Sequence, residues 1–138
     1  MKNSATFNAG EGSFQFPDSE VRPKMEIGVF LKQNPEGELT QKPNGRASFR
    51  TIWLLQDRDY IVLLHFMGGL LGGISLSASL STEEKARPDA QVVRKELHDR
   101  LFRGWFSTLK PYKSSWGEAR SGGDFKTGDV EILILYNK

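Results

Sequence analysis

The sequence predicts an α+β fold: a mainly antiparallel sheet built as a meander, one long helix packed on it, and a C-terminal β-hairpin. Three observations carry this. Between Arg46 and Leu80, three apolar runs are separated by short turn signals. Val93, Leu97, Leu101 and Trp105 then recur every four residues, which is one stripe of a helix. After Pro111, a run from Trp116 to Phe125 and another from Val130 to Tyr136 flank the turn residues Lys126-Thr127-Gly128-Asp129. The length of 138 residues suits one domain.

Residues 1–20 are polar and glycine-rich and read as an arm with at most one short strand, with Phe7, Phe14 and Phe16 as anchors. Residues 21–138 form the single α+β domain. Met25 to Lys32 alternates, with Met25, Ile27, Val29 and Leu31 on one face, and predicts a strand. Asn34-Pro35-Glu36-Gly37 and Lys42-Pro43-Asn44-Gly45 are turn signals around a short edge strand, Gly37 to Gln41. Arg46 to Gln56 is a long strand with large apolar residues at both parities, which predicts cover on both faces. Asp57-Arg58-Asp59 turns the chain into an apolar strand from Tyr60 to Met67. Gly68 to Gly73 turns it again, and Ile74 to Leu80 alternates with Ser75, Ser77 and Ser79 on its polar face. Ser81 and Glu84 fit a capping box, and Pro88 interrupts the helix begun there. The main helix is expected from Asp89 to about Leu109. Arg94 falls on its apolar side with no reason visible in the sequence.

Composition excludes several function classes. A hydrophobic share of 38% and a charged share of 26% are those of a globular chain. Nineteen Lys and Arg against 17 Asp and Glu give a net charge of +2, which argues against a polybasic nucleic-acid binder. With no Cys, disulfides, thiol catalysis and Cys-based zinc sites are out. The N-terminal residues lack the apolar stretch of a signal peptide. From Tyr60 to Thr82 there is no Asp, Glu, Lys or Arg, a stretch long enough to span a bilayer. Its period-two alternation argues for two strands instead.

No enzyme is expected. His65 interrupts an apolar strand and reads as a hydrogen-bonded sheet histidine, while His98 reads as a solvated residue beside a charged helix face. Asp57 and Asp59 could share a cation but are expected to be ordinary turn residues. No nucleophile–base constellation or phosphate loop is present, so no cofactor, metal or small-molecule substrate is expected.

The candidate binding site is the helix and its tail. Arg94, Lys95, Arg100, Arg103, Lys110 and Lys113 face only Glu96 and Asp99, a local net charge of +4. Phe102, Trp105, Phe106 and Tyr112 are interleaved with them. Cations beside aromatics suit an anionic membrane, a phosphate backbone or a protein partner.

The strand at Met25-Glu26-Ile27, the hairpin from Arg50 to Leu64 and the Gly73-Ile74-Ser75-Leu76-Ser77 strand, followed by an acidic turn and helix, resemble bornavirus-type matrix proteins. The closing hairpin is similar to that of rhabdovirus matrix proteins. The resemblance implies a self-associating, homo-oligomeric, membrane-associated protein of the virion, found in the host cytoplasm and at the inner membrane face. Its partners would be anionic lipid and nucleocapsid or RNA. Two features of that class are missing: a Pro-Pro-x-Tyr or Pro-Thr-Ala-Pro motif, and a polybasic N-terminal tail. Trp116-Gly117-Glu118, the turn Asp124 to Gly128 and the strand Ile132 to Tyr136 are also similar to the ending of some bacterial immunity proteins, which bind a toxin protein in the bacterial cytoplasm. A small nucleic-acid-binding protein is the third alternative.

Overall fold

The computed structural model describes residues 3–34, 36–124 and 129–138. Its centre is a seven-stranded antiparallel sheet. In chain order the sheet contains β4 (Glu38–Lys42), β5 (Arg46–Leu55), β6 (Arg58–Met67), β7 (Leu70–Ala78), β8 (Tyr112–Ser114), β9 (Gly117–Asp124) and β10 (Asp129–Tyr136). In space the order is β4-β5-β6-β7-β10-β9-β8. β5, β6 and β7 are the expected three-stranded meander, and β4 is the expected short edge strand beside it. The helix α3 (Ala90–Phe106) carries the chain over, and the last strand returns beside β7. The α+β architecture, the long helix on the sheet and the C-terminal hairpin are therefore all present. Lys126, Thr127 and Gly128, expected to turn that hairpin, lie outside the described residues.

Tight hairpins set the register. Asn44-Gly45, Gln56-Asp57 and Gly68-Gly69 all have positive φ, as short antiparallel loops require. The second turn is one residue earlier than the sequence suggests, because Leu55 pairs directly with Arg58. The third is only two residues long. Gly72 and Gly73, expected in that turn, belong to β7, where the register shifts opposite His65 and Phe66 and Gly72 is the extra residue of a bulge.

Two sequence expectations are corrected before β4. Residues 1–20 do not form an arm with at most one strand. Thr6–Asn8 (β1) and Ser13–Gln15 (β2) pair with Glu20–Val21 (β3) as a small antiparallel sheet. Phe14 is fully buried there, with its ring 4.9 Å from that of Trp53. Met25 to Lys32 is not a strand either. Ile27–Gln33 is a short helix, α1. The spacing Ile27, Phe30, Leu31 also fits a helix, and burial decides between the two periods. Phe30 inserts between Phe49 and Phe66, at ring distances of 4.9 and 5.5 Å. Burying a side chain of that size contributes about 2 kcal/mol. Both the backbone N–H and the side-chain amide of Asn34 then donate to the Phe30 carbonyl and end the helix.

The core lies between one face of the large sheet and its cover of α1, α3 and the small sheet. Directly opposed antiparallel residues share a face. Trp53, Tyr60 and Ala78 form one buried row. Phe49, Leu64, Ile74, Ile134 and Ala119 form another. Two long-range hydrogen bonds pin the β1–β2 turn to the end of the chain. Trp116 Nε1 donates to Ala9 O at 2.8 Å, and Tyr136 Oη donates to Gly12 O at 2.7 Å. A Cβ on Gly12 would sit 2.4 Å from the Trp116 ring, so no larger residue fits.

Candidate functional site

Helix α3 starts after Asp89 and ends at Phe106, where Ser107 turns left-handed with φ 59. The expected end near Leu109 is therefore three residues late. Ahead of it, α2 (Thr82–Lys85) has the expected capping box. Glu84 also takes a two-pronged ion pair from Arg58, at 2.9 and 3.1 Å. Arg58 and the capping bonds hold the Glu84 carboxyl well below its usual range, at about 2.

The buried side of α3 carries His98, Leu101, Phe102 and Phe106. Phe102 and Phe106 are thus core residues, not part of an aromatic binding surface. Trp105 and Tyr112 are half-buried, and Tyr112 stacks on Phe106 at 4.4 Å.

His98 is the largest departure from the sequence expectation. It is fully buried rather than solvated. Its Nε2 accepts the backbone N–H of Ala78 at 2.8 Å. Arg94 Nε donates to the carbonyl of the same residue at 3.2 Å. The paired part of β10 reaches β7 only as far as Leu76. Two side chains of α3 therefore satisfy Ala78, beyond that pairing, where a strand would otherwise do so. This also explains why a cation sits on the apolar side of the helix. Burial, with Arg94 and Lys95 nearby, lowers the His98 pKa to about 4. The ring is neutral at pH 7, with its proton on the other nitrogen.

The six candidate cations are not one patch. Arg94 is occupied with Ala78 and Gln91. Lys95 pairs with Asp99, and both reach Ser121 on β9. These two residues fasten the helix to the sheet. Lys113 is exposed but opposes Glu118 across β8–β9, with its alternate neighbour Tyr112 facing the core. It therefore points to the far side of the sheet. Arg100, Arg103 and Lys110 remain, all exposed, on the outer side of α3 and just past its end. Among the described residues, none of these three has a carboxylate partner.

His65 is the expected sheet histidine. Its Nε2 lies 3.1 Å from Ser75 Oγ, and burial with nearby Lys42 lowers its pKa. Asp57 and Asp59 are both exposed, the former in the turn and the latter in β6. Among the described residues, no cluster of His, Asp and Glu is placed to hold a metal ion. None of the described helices is long and apolar enough to cross a membrane.

Two surface features were not visible in the sequence. One is an open cleft of about 920 Å³ at the edge of β5. Phe16, Ile52 and Trp53 line it, with Asp18, Glu36, Glu38 and Arg50 around them. The other is the far face of the large sheet. The expectation that β5 is covered on both sides fails there: Ile52 is 49% exposed. Alternating apolar residues at both parities signal two-sided burial only if a second layer exists.

Comparison with known proteins finds no matching family model, no matching curated protein and no matching solved structure.

Proposed function

We propose that this chain is a non-enzymatic, self-assembling protein of matrix type that meets an anionic lipid surface through the outer side of α3. The observation that carries the proposal is the trio Arg100, Arg103 and Lys110, exposed together and free of carboxylate partners among the described residues. Unpaired cations retain their full attraction for a negatively charged surface, about 1 kcal/mol each near anionic lipid. Three are too few for tight binding by one molecule, so assembly supplies the avidity. The proposed place of action is the inner face of an envelope or host membrane. Vesicle binding tests this: wild type binds phosphatidylserine-rich vesicles and is released by salt. The double substitution Arg100→Glu/Arg103→Glu weakens binding at least about tenfold. A wild type indifferent to such vesicles contradicts the proposal.

A second reading, an immunity-type inhibitor of a toxin protein, is favoured by the β5 cleft. Its apolar floor and three carboxylates against one arginine suit a basic segment of a partner. Substituting Glu36 and Glu38 with Lys would then abolish toxin protection and leave vesicle binding unchanged.

A further inference from the structure

β4 reads Glu38-Leu39-Thr40-Gln41-Lys42, and every one of these residues is exposed. It ends the large sheet on one side. The strand at the opposite end, β8, has only three residues. Among the described residues, nothing pairs with the outer edge of β4.

The pairing of β5 fixes which groups β4 turns outward. The two-residue turn at Gln56-Asp57 makes Leu55 and Arg58 a hydrogen-bonded pair, so the odd-numbered residues of β5 bond to β6. The even-numbered ones point the other way. Leu54 shows this directly: its N–H donates to Asn3 O at 2.9 Å, and its carbonyl accepts from Ala5 N–H at 3.0 Å. Arg46, Ser48 and Arg50 therefore bond to Lys42, Thr40 and Glu38, the residues they oppose. The N–H and carbonyl groups of Leu39 and Gln41 are left directed out of the sheet, with no strand to receive them.

Charge selects one register for an added strand. Lys42 lies directly opposite Arg46, a like pair, and neither has a carboxylate partner among the described residues. Glu38 stands at the other end of the strand. A two-fold axis through the middle of β4 sets Thr40 against Thr40 of a second copy, Leu39 against Gln41, and Glu38 against Lys42. Each Leu39 then exchanges its outward hydrogen bonds with Gln41 of the second copy, which is the phase the strand offers. Each Lys42 gains a carboxylate on the side away from Arg46. The two Leu39 side chains, on the covered face with Phe49, become diagonal neighbours across the axis. A parallel, in-register pairing would oppose like charges instead. An isologous contact must match itself under a two-fold axis, and this strand does. The shared edge is about 17 Å long, well short of a standard interface, so the pairing is weak and adds avidity rather than a permanent dimer.

We infer that the open edge of β4 is a self-pairing site, where a second copy of this chain adds antiparallel with Thr40 opposite Thr40. This deepens the assembly part of the function proposed above and rests on it. Cross-linking and sedimentation equilibrium of the full chain test it. The chain has no Cys, so single cysteines report the register cleanly. Opposed residues of a non-hydrogen-bonded pair have Cα atoms about 4.5 Å apart, within disulfide reach, so Thr40→Cys cross-links under mild oxidation. Lys42→Cys, equally exposed on the same strand, lies about 14 Å from its counterpart and cross-links at least about tenfold more slowly. Wild type dimerises with a dissociation constant on the order of 100 µM. Lys42→Glu relieves the contact with Arg46 within the chain but opposes Glu38 of the second copy, and weakens the dimer at least about fivefold at low salt. Adding Glu38→Lys to it restores the dimer. Arg100→Glu/Arg103→Glu keeps the dimer, so a wild type that dimerises but ignores vesicles overturns the lipid reading alone. A wild type that stays monomeric at about 1 mM, or two cysteine variants that cross-link at equal rates, overturns the pairing of β4.

Discussion

One imidazole closes the seam between α3 and β7. His98 has no access to solvent, and its Nε2 accepts the Ala78 N–H while Arg94 holds the Ala78 carbonyl. The groups facing it are Arg94, Lys95 and Asp99 from its own helix and Tyr60 from β6. Its pKa falls from 6.5 to about 4 on folding, so the unfolded chain takes up the proton more readily. The stability that the neutral ring confers is complete above about pH 6.5 and is lost as pH falls toward 4. The upper bound is about 3 kcal/mol. Urea unfolding between pH 7 and 4 measures this slope. His98→Leu should flatten it and cost about 1–3 kcal/mol at pH 7, because the Ala78 N–H is left without an acceptor. A wild type equally stable at pH 7 and 4.5 counts against the seam. Gly117 is a second sensitive residue. Its φ is +149, and a Cβ would lie 2.0 Å from Leu135 O. Gly117→Ala should therefore cost about 3 kcal/mol or more by strain in β9 and β10, read as a fall in the urea midpoint.

At the level of elements, Trp53 is the residue of the large sheet on which two rings of the N-terminal segment rest. Trp53 is 2% exposed and supports both Phe14 and Phe16, at 4.9 and 5.0 Å. Trp53→Ala should cost about 3–5 kcal/mol. Hydrogen exchange should speed up first in residues 6–21, before β6 and β7 are affected. Uniform loss of protection would show that the small sheet is not a separate layer. The meander, the capping box and the helix stripe could be read from the sequence because local pattern decides them. Asn44-Gly45 and Gly68-Gly69 force turns, and Ser81 with Glu84 caps a helix whatever packs around it. The first 33 residues could not be read in the same way. Ile27, Phe30 and Leu31 fit a helix, and Met25, Ile27, Val29 and Leu31 fit a strand. The choice rests on Phe49 and Phe66, which are distant in sequence. Phe7, Phe14 and Phe16 are likewise fixed by Trp53, Trp105 and Trp116. The basic segment was half legible. Counting charges located it, but the count could not show that Arg94 and Lys95 are bound to β7 and β9.

For the whole molecule, the fold puts two surfaces on opposite sides. α3 packs on the covered face of the sheet and turns Arg100 and Arg103 outward, while the bare face looks the other way. The most direct test of the whole account is flotation of the protein with vesicles at low salt. The account predicts that wild type rises with phosphatidylserine-rich vesicles and not with neutral ones. Arg100→Glu/Arg103→Glu should stay at the bottom of the gradient. Wild type left at the bottom with both kinds of vesicle, or a charge-reversed variant that rises as readily as wild type, would contradict it.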